Sequence, residues 1–409
     1  MTHAGDAVAR LVRDEGTRVL ATLVRVTGSV DLAEDAVQDA VVRALETWPR
    51  DGVPGNPRGW LLVAARRRAV DVVRREAKRL GKEADAMPAV DPFPDPVSVR
   101  DDLLRLVFTC CHPALSLDAQ VALALRTLGG LSTLEVARAL LVPEATMAKR
   151  LTRAKQKIAQ AHIPYRVPSA EELPARLSGV ASTVYLIFNE GYTGRGQLLA
   201  EAVRLARLLA ELMPDEPTAL GLLALVLLQD ARRSSRFDAS GLPVLLAEQD
   251  RSAWDFELIK EGVALVGAGL RRTPSVPNAY VVQAAIAACH DLAPSYSETN
   301  WDAVISWYDV LLSIQDTAVI RLNRAAAVAE RDSPAAGLAL VDALRGLEEY
   351  PWWHASRAEL LHRLGSPSAA GALERAVETG LPAAHAAHLR ARIQKENPGE
   401  NVRGFTESG

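Results

Sequence analysis

Apolar residues along this 409-residue chain recur at intervals of three and four and rarely alternate. That period predicts amphipathic α-helices nearly throughout. From Asp31 to Trp48, Leu32, Ala36, Ala40, Val41, Ala44 and Leu45 form the expected buried stripe. Glu34, Asp35, Gln38 and Asp39 form an acidic opposite side. Pro57 and Gly59 then break the chain, and Trp60 starts a helix carrying Arg66, Arg67, Arg68, Arg74, Arg75, Lys78 and Arg79. The stretch from Leu131 to Ile158 reads as two short helices joined by a tight turn. Ser132, with Glu135 three residues on, makes a capping box for the first. Leu134, Val136, Ala137, Leu140 and Leu141 are its expected apolar side. In the second, Met147, Leu151, Ala154 and Ile158 share a stripe, and Thr146, Lys149, Arg150, Arg153 and Lys157 lie opposite. The turn between them holds no glycine, so either Leu141 is strained there or the turn differs from the usual one.

Punctuation divides the chain into four parts. Residues 1–80 are helical and Arg-rich. Residues 81–100, containing "GKEADAMPAVDPFPDPVS", read as an acidic, Pro-rich linker. Residues 101–165 form a compact helical unit. After "IPYRVPSAEELP", residues 166–409 carry amphipathic helices separated by Pro, Gly, Asp and Ser. An irregular α-solenoid of helix pairs, loosely like tetratricopeptide repeats, and a plain helical bundle both fit that part. The expected fold class is all-α.

Composition changes the picture in three ways. The net charge of −3 hides an asymmetry, because basic charge concentrates in short segments of the first 160 residues. An anionic partner responds to that local charge. Three cysteines, two of them adjacent, argue against a disulfide framework. No stretch is apolar enough for a membrane span, so a cytoplasmic protein without membrane contact is expected.

An apolar face packed on a neighbour and a basic face in water suit a helix that reads DNA. Arg and Lys meet phosphates, and residues near the helix N-terminus reach base edges. A solvated basic face on an ordinary hairpin is the plain alternative. Cys110, Cys111 and His112 invite a metal or nucleophile reading, but zinc sites want separated cysteine pairs and four ligands. Buried small residues are the expectation, with no metal and no cofactor. "NEGYTGRG" (Asn189 to Gly196) lacks the ending of a phosphate loop and is read as a turn between helices. Trp352, Trp353 and His354 fit either a partner groove or interhelical packing.

Three motifs in order, DLAEDAVQDA, NPRGWLLVAARRRAVDVVRR and GLSTLEVARALLVPEATMAKRLTRAK, resemble bacterial sigma factors of the extracytoplasmic-function (group 4) class. They span roughly residues 10 to 160. "FTCCHPALS", "VYLIFNEGY", "QAAIAACH" and "LNRAAAVA" resemble the subgroup with a C-terminal tetratricopeptide-like domain, often called group 42. The resemblance implies a non-enzymatic promoter-specificity subunit of RNA polymerase. It implies that Asp35, Gln38, Asp39 and Arg43 meet core RNA polymerase at the β′ coiled coil, with the β flap as a further contact. It implies that Asn56, Arg58, Trp60, Arg66, Arg67, Arg68, Arg74 and Arg75 bind the −10 element. Glu144, Thr146, Lys149, Arg150, Arg153 and Lys157 would bind the −35 element of promoter DNA. Trp60 can instead be a core residue. The linker acids Glu83, Asp85, Asp91 and Asp95 resemble a segment that threads the polymerase channel, or form a plain tether. The C-terminal part would modulate activity, in contact with a protein partner. Arg67 stands where many members have Asn, and Leu141 where Gly is common. A DNA-binding regulator acting without polymerase explains the basic helices but not the acidic Asp31–Trp48 helix. An enzyme built on Cys111 and His112 is the third reading.

Overall fold

The computed structural model describes residues 3–79, 96–192, 196–239, 241–273 and 275–395. Among them the regular structure is helical, and the one β-bridge is an isolated pairing of Phe237 with Pro243. The chain divides into two compact units, residues 1–214 and 215–409.

Among the described residues the first unit holds nine α-helices. They are α1 (His3–Thr27), α2 (Val30–Asp51), α3 (Pro57–Arg79), α4 (Pro96–Cys110), α5 (Leu117–Leu123), α6 (Thr133–Ala139), α7 (Glu144–Gln160), α8 (Leu173–Tyr192) and α9 (Gly196–Leu212). A π-helical turn, Ala124–Leu128, follows α5 directly. Ser29 caps α2, its Oγ accepting from the Leu32 N–H at 3.3 Å. Asn56 caps α3 by accepting from the Gly59 N–H at 2.9 Å, with Pro57 at the first helical position, where its missing donor costs nothing. The acidic linker read between residues 81 and 100 lies outside the described residues as far as Asp95, and α4 already begins at Pro96.

The α2 helix buries Val30, Ala33, Ala36, Ala40, Ala44 and Trp48. Four of these are alanines, which let α1 and α3 approach closely. The buried stripe is therefore rotated from the expected one, and Leu45 stands in solvent, 46% exposed. Across the unit, Val19, Leu20, Leu23 and Val24 of α1 and Leu103, Leu106 and Val107 of α4 are buried where the two helices pack together. Asp102 of α4, only 2% exposed, pairs with Arg25 of α1 at 2.8 Å. The Tyr165 hydroxyl sits 2.8 Å from the carbonyl of Ala21 and 3.0 Å from that of Asp102.

The expected boundary at residue 165 and the division at residue 214 differ by α8 and α9. These helices are tied to the earlier ones through backbone carbonyls. Arg176 donates to Phe108 O at 2.6 Å, Arg100 to Leu212 O at 2.8 Å, and Arg204 to Leu128 O. Thr183 donates to Gln120 Oε1 at 3.0 Å in the buried interior. "NEGYTGRG" is half helix: Asn189 to Tyr192 end α8. Thr193 to Arg195 lie outside the described residues. Gly191 is needed because α9 crosses it. A Cβ there would stand 2.4 Å from the Leu199 backbone nitrogen.

The second unit holds α10 (Pro217–Ala231), α11 (Phe256–Arg271), α12 (Ala279–Asp291), α13 (Trp301–Ile314), α14 (Ala318–Arg331), α15 (Pro334–Ala343), α16 (Pro351–Arg363), α17 (Ser368–Glu378) and α18 (Ala383–Lys395). Asp255, Asn278, Asn300, Thr317 and Ser333 each cap the helix that follows. Helices pack chiefly on their neighbours in the chain. The core accordingly breaks into successive clusters, such as Val282, Val304, Ile305 and Val328, then Leu322, Val341 and Leu360, then Ala358, Leu373 and Leu389.

Candidate functional site

The outer face of α2 presents Asp35, Gln38, Asp39 and Arg43, all exposed. Val42 and Leu45, 49% and 46% exposed, lie among them. The face is thus acidic with apolar patches. Asp39 forms an ion pair with Arg68 of α3, both partly exposed. A pair so solvated contributes little to stability and exchanges readily for another partner.

A cavity of about 310 Å³ opens where α3 begins, lined by Arg43, Asn56, Gly59, Trp60, Val63, Ala64 and Arg67. Its walls combine indole and aliphatic surface with two guanidinium groups. Trp60 is half-buried and meets Trp48 edge to face at 5.4 Å. Its ring therefore packs against Trp48 and also lines the cavity. Arg58 does not line it. Its guanidinium lies 3.4 Å from Glu15 of α1. Arg67, Arg74 and Arg75 are exposed and Arg66 and Arg68 are half-buried, which gives α3 a basic outer surface.

The α6–α7 pair forms as its spacing predicts. The capping box is complete, with Ser132 N–H donating to Glu135 Oε2 at 2.7 Å and Glu135 N–H to Ser132 Oγ at 3.2 Å. Those bonds hold the Glu135 carboxyl below its usual range. Leu141 adopts φ +53°, the left-handed conformation that glycine favours. Its side chain is 72% exposed, and Leu134 is 38% exposed, so neither belongs to the apolar side expected of them. Met147, Leu151 and Ala154 of α7 are buried, while Glu144, Thr146, Lys149, Arg153 and Lys157 face solvent. Arg150 is half-buried, 3.6 Å from Asp118 of α5.

Lys155 behaves differently from the other α7 cations. Its ammonium lies 2.8 Å from Asp31 and 2.8 Å from Glu34 of α2, with the Lys155 side chain 15% and the Glu34 side chain 11% exposed. Thr127, in the π-helical turn, donates to the second Glu34 oxygen at 3.1 Å. Burial by itself would lower the Lys155 ammonium, but the Glu34 and Asp31 carboxylates outweigh it and raise the group above its ordinary value. Sequence reasoning gave Lys155 and Glu34 no joint role. The available signal was spacing: Lys155 follows Leu151 by four residues and so flanks the buried stripe.

Cys110 and Cys111 are buried, and burial is the largest cause raising both thiols, Cys111 to about 12. Such thiols stay protonated and make poor nucleophiles. Among the described residues no group of three or more His, Cys, Asp or Glu side chains could hold a metal. Trp353 Nε1 donates to Val341 O at 3.0 Å and His354 Nε2 lies 2.8 Å from Glu348 O, which makes both packing residues. Trp352 meets His385 edge to face at 4.9 Å. No helix among the described residues is long and apolar enough to cross a membrane.

The family models agree with this placement of parts. Residues 11–79 match the model for Sigma-70 region 2, residues 105–158 that for Sigma-70, region 4, and residues 176–269 a family of unknown function, DUF6596. An uncharacterized protein of Rhizobium meliloti is 40% identical over 393 residues, 92% of each chain. The ECF RNA polymerase sigma factor SigK of Mycobacterium sp. (strain KMS) is 32% identical over 155 residues, covering 36% of this chain and 78% of SigK. The SigK of Mycobacterium bovis is 30% identical over 165 residues, covering 38% of this chain and 86% of that protein. With both sigma regions present in order on helices α1–α3 and α4–α7, the chain belongs to the ECF RNA polymerase sigma factors.

Proposed function

We propose that this sigma factor docks on core RNA polymerase through the outer face of α2 and reads a two-part promoter with α3 and α7. Sigma factors are non-enzymatic initiation factors that bind core polymerase and promoter DNA, so the chemistry is recognition. Asp35, Gln38 and Asp39 offer negative charge to a basic partner, and Val42 and Leu45 offer apolar area at the centre of the same face. Charge there sets specificity and on-rate more than affinity.

The observation that carries the −10 reading is the cavity at the start of α3. Its volume lies at the lower end of the ~300–1,000 Å³ of small-molecule sites. Trp60 supplies an aromatic wall, and Arg43, Asn56 and Arg67 supply polar groups for a base taken out of the stack. Extruding a base costs a few kcal/mol and the pocket must offset that. Arg66, Arg67, Arg74 and Arg75 neutralise adjacent phosphates, so binding weakens steeply with salt. On α7, Lys149, Arg153 and Lys157 meet the −35 backbone, and Glu144 and Thr146, at its N-terminal end, reach base edges. The test is run-off transcription with Asn56→Ala. Co-purification with core polymerase should persist while transcript falls at least tenfold. Unchanged transcript would remove the cavity from the mechanism.

The C-terminal helices modulate this activity on our reading, and α10–α18 form a tetratricopeptide-like array that takes a protein partner. The chain-sequential packing of the second unit supports the array, and the Arg100, Arg176 and Arg204 contacts of α8 and α9 support coupling to the promoter-reading helices.

A further inference from the structure

We infer that the cavity at the start of α3 selects guanine as the base it takes from the −10 element, with the Arg67 and Arg43 guanidinium groups donating to its O6 and N7. The inference rests on the reading under Proposed function that this cavity holds an unstacked base. The donors and acceptors of the wall carry it. Arg43 reaches the cavity from α2, and Asn56, Gly59, Trp60, Val63, Ala64 and Arg67 line it from the start of α3. Their spacing of three and four keeps them on one side of the helix. No carboxylate or hydroxyl is among these lining residues. The one side-chain acceptor is Asn56 Oδ1, and the Gly59 N–H already donates to it at 2.9 Å. Backbone acceptors are engaged likewise. Asn56 O accepts from the Trp60 N–H at 3.0 Å, and Arg43 O from the Thr47 hydroxyl at 2.8 Å. The carbonyls of Gly59, Trp60, Val63 and Ala64 lie inside α3 and accept from the turn that follows. The wall therefore meets a guest with N–H groups, chiefly those of the two guanidinium groups and the indole. Among the described residues neither guanidinium has a carboxylate partner, whereas Arg58 is engaged by Glu15 and Arg68 by Asp39.

A wall of donors sorts the four bases. Guanine alone presents two acceptors, N7 and O6, side by side on an edge with no donor. Adenine sets its N6 amine beside N7, and cytosine carries its N4 amine on the same edge. Thymine offers O4 alone, beside its methyl group. Every Watson–Crick edge bears at least one donor, which would face a guanidinium. Arg is the side chain whose planar fork pairs bidentately with O6 and N7. Arg67 stands seven residues beyond Trp60, about 10 Å along the axis, and helical side chains lean back toward the N-terminus. Its guanidinium is thereby turned to the cavity that Trp60 borders. The other walls fit the same guest. A two-ring purine stacks on the Trp60 indole over more area than a pyrimidine. Val63 and Ala64 add aliphatic surface, which excludes the water that a phosphate group keeps, so a phosphate is the poorer guest.

The test uses holoenzyme assembled from the full-length chain and core polymerase, on a library in which the −10 element of an active promoter is randomised. One position should demand guanine, with each other base cutting transcript about tenfold, as the loss of one bidentate pair requires. Arg67→Ala, at an exposed position and checked for folding by circular dichroism, should flatten the preference there and leave the other positions as they were. Two base analogues then probe the edge with the unaltered protein. Hypoxanthine, which keeps O6 and N7, should support transcription as guanine does. 7-Deazaguanine, which lacks the N7 acceptor, should lower it several-fold. A position that answers to Arg67→Ala but prefers another base overturns guanine selection and leaves base capture standing. So does equal transcript from guanine and 7-deazaguanine. Uniform weakening of every library member, with a salt slope smaller by about one, assigns Arg67 to a phosphate and also overturns the selection. A library that Asn56→Ala and Arg67→Ala both leave unchanged overturns base capture in this cavity, and the inference with it. A parent that gives no transcript from any promoter overturns the sigma reading on which both stand.

Discussion

At the scale of single residues, strain and burial set the exceptions to the pattern. Leu141 sits at φ +53° with a side chain that stands largely in solvent. A non-glycine residue there costs of order 1–2 kcal/mol. Glycine removes the strain but adds about 0.5–1 kcal/mol of unfolded-state entropy. Leu141→Gly should therefore stabilise the first unit by about 0.5–1 kcal/mol, read as a rise in the urea midpoint at unchanged slope. The sequence announced this position, because a tight turn without glycine must strain some residue. It did not announce Asp291. That carboxyl has no exposed side-chain surface and lies 3.5 Å from Arg232. Burial pushes it up to about 6, against the pull of Arg232 and Arg251. An acid whose folded value is raised binds its proton more tightly in the native state. Its stabilising contribution is full below about pH 4 and is lost as pH rises through about 6. Asp291→Asn should match the parent's melting temperature near pH 4.5 and exceed it at pH 7.5. A difference that shrinks with rising pH would show that the Arg232 pair, and not desolvation, dominates.

At the scale of elements, period and capping made most of the fold legible. The α6 helix starts at Thr133, directly after the Ser132 cap, and α7 buries Met147, Leu151 and Ala154, as the apolar period and its punctuation require. The capping box at Ser132 was readable for the same reason, since local chemistry alone decides it. The face of α2 was harder to read. Four of its six buried residues are alanines, which hydropathy ranks weakly, so the apolar pattern points Leu45 inward while the structure turns it outward. That error matters, because outward Leu45 and Val42 give the acidic face its apolar centre. The cation pattern of α7 was legible as a group, but not the separate fate of Lys155, whose partners lie more than 100 residues earlier in the chain. Pairings at that separation leave no trace in local spacing. The basic helix α3 was legible in charge, yet the cavity at its start is completed by Arg43 from another helix.

At the scale of the whole molecule, the division at residue 214 places α8 and α9 with the sigma helices. The sequence offered "IPYRVPSAEELP" as the boundary because proline clusters there. It could not show that Arg100, Arg176 and Arg204 reach across to backbone carbonyls. A fragment of residues 1–165 exposes the surfaces that α8 and α9 cover, including Gln120 and Phe108. It should melt well below a fragment of residues 1–214, by roughly 5–10 °C at the few degrees per kcal/mol expected for this size. Equal melting temperatures would mean that α8 and α9 add no stability to the helices of the two sigma regions.

The central claim is that α2 delivers this chain to core RNA polymerase so that α3 and α7 can read a promoter. Run-off transcription tests it most directly. Full-length protein is added to bacterial core polymerase on a pool of genomic promoter fragments, beside an Asp35→Arg/Asp39→Arg variant. We expect discrete transcripts from the parent and none from the variant, whose reversed charges repel the basic partner and also lose the Arg68 pair. Transcripts of equal strength from both proteins would contradict the account.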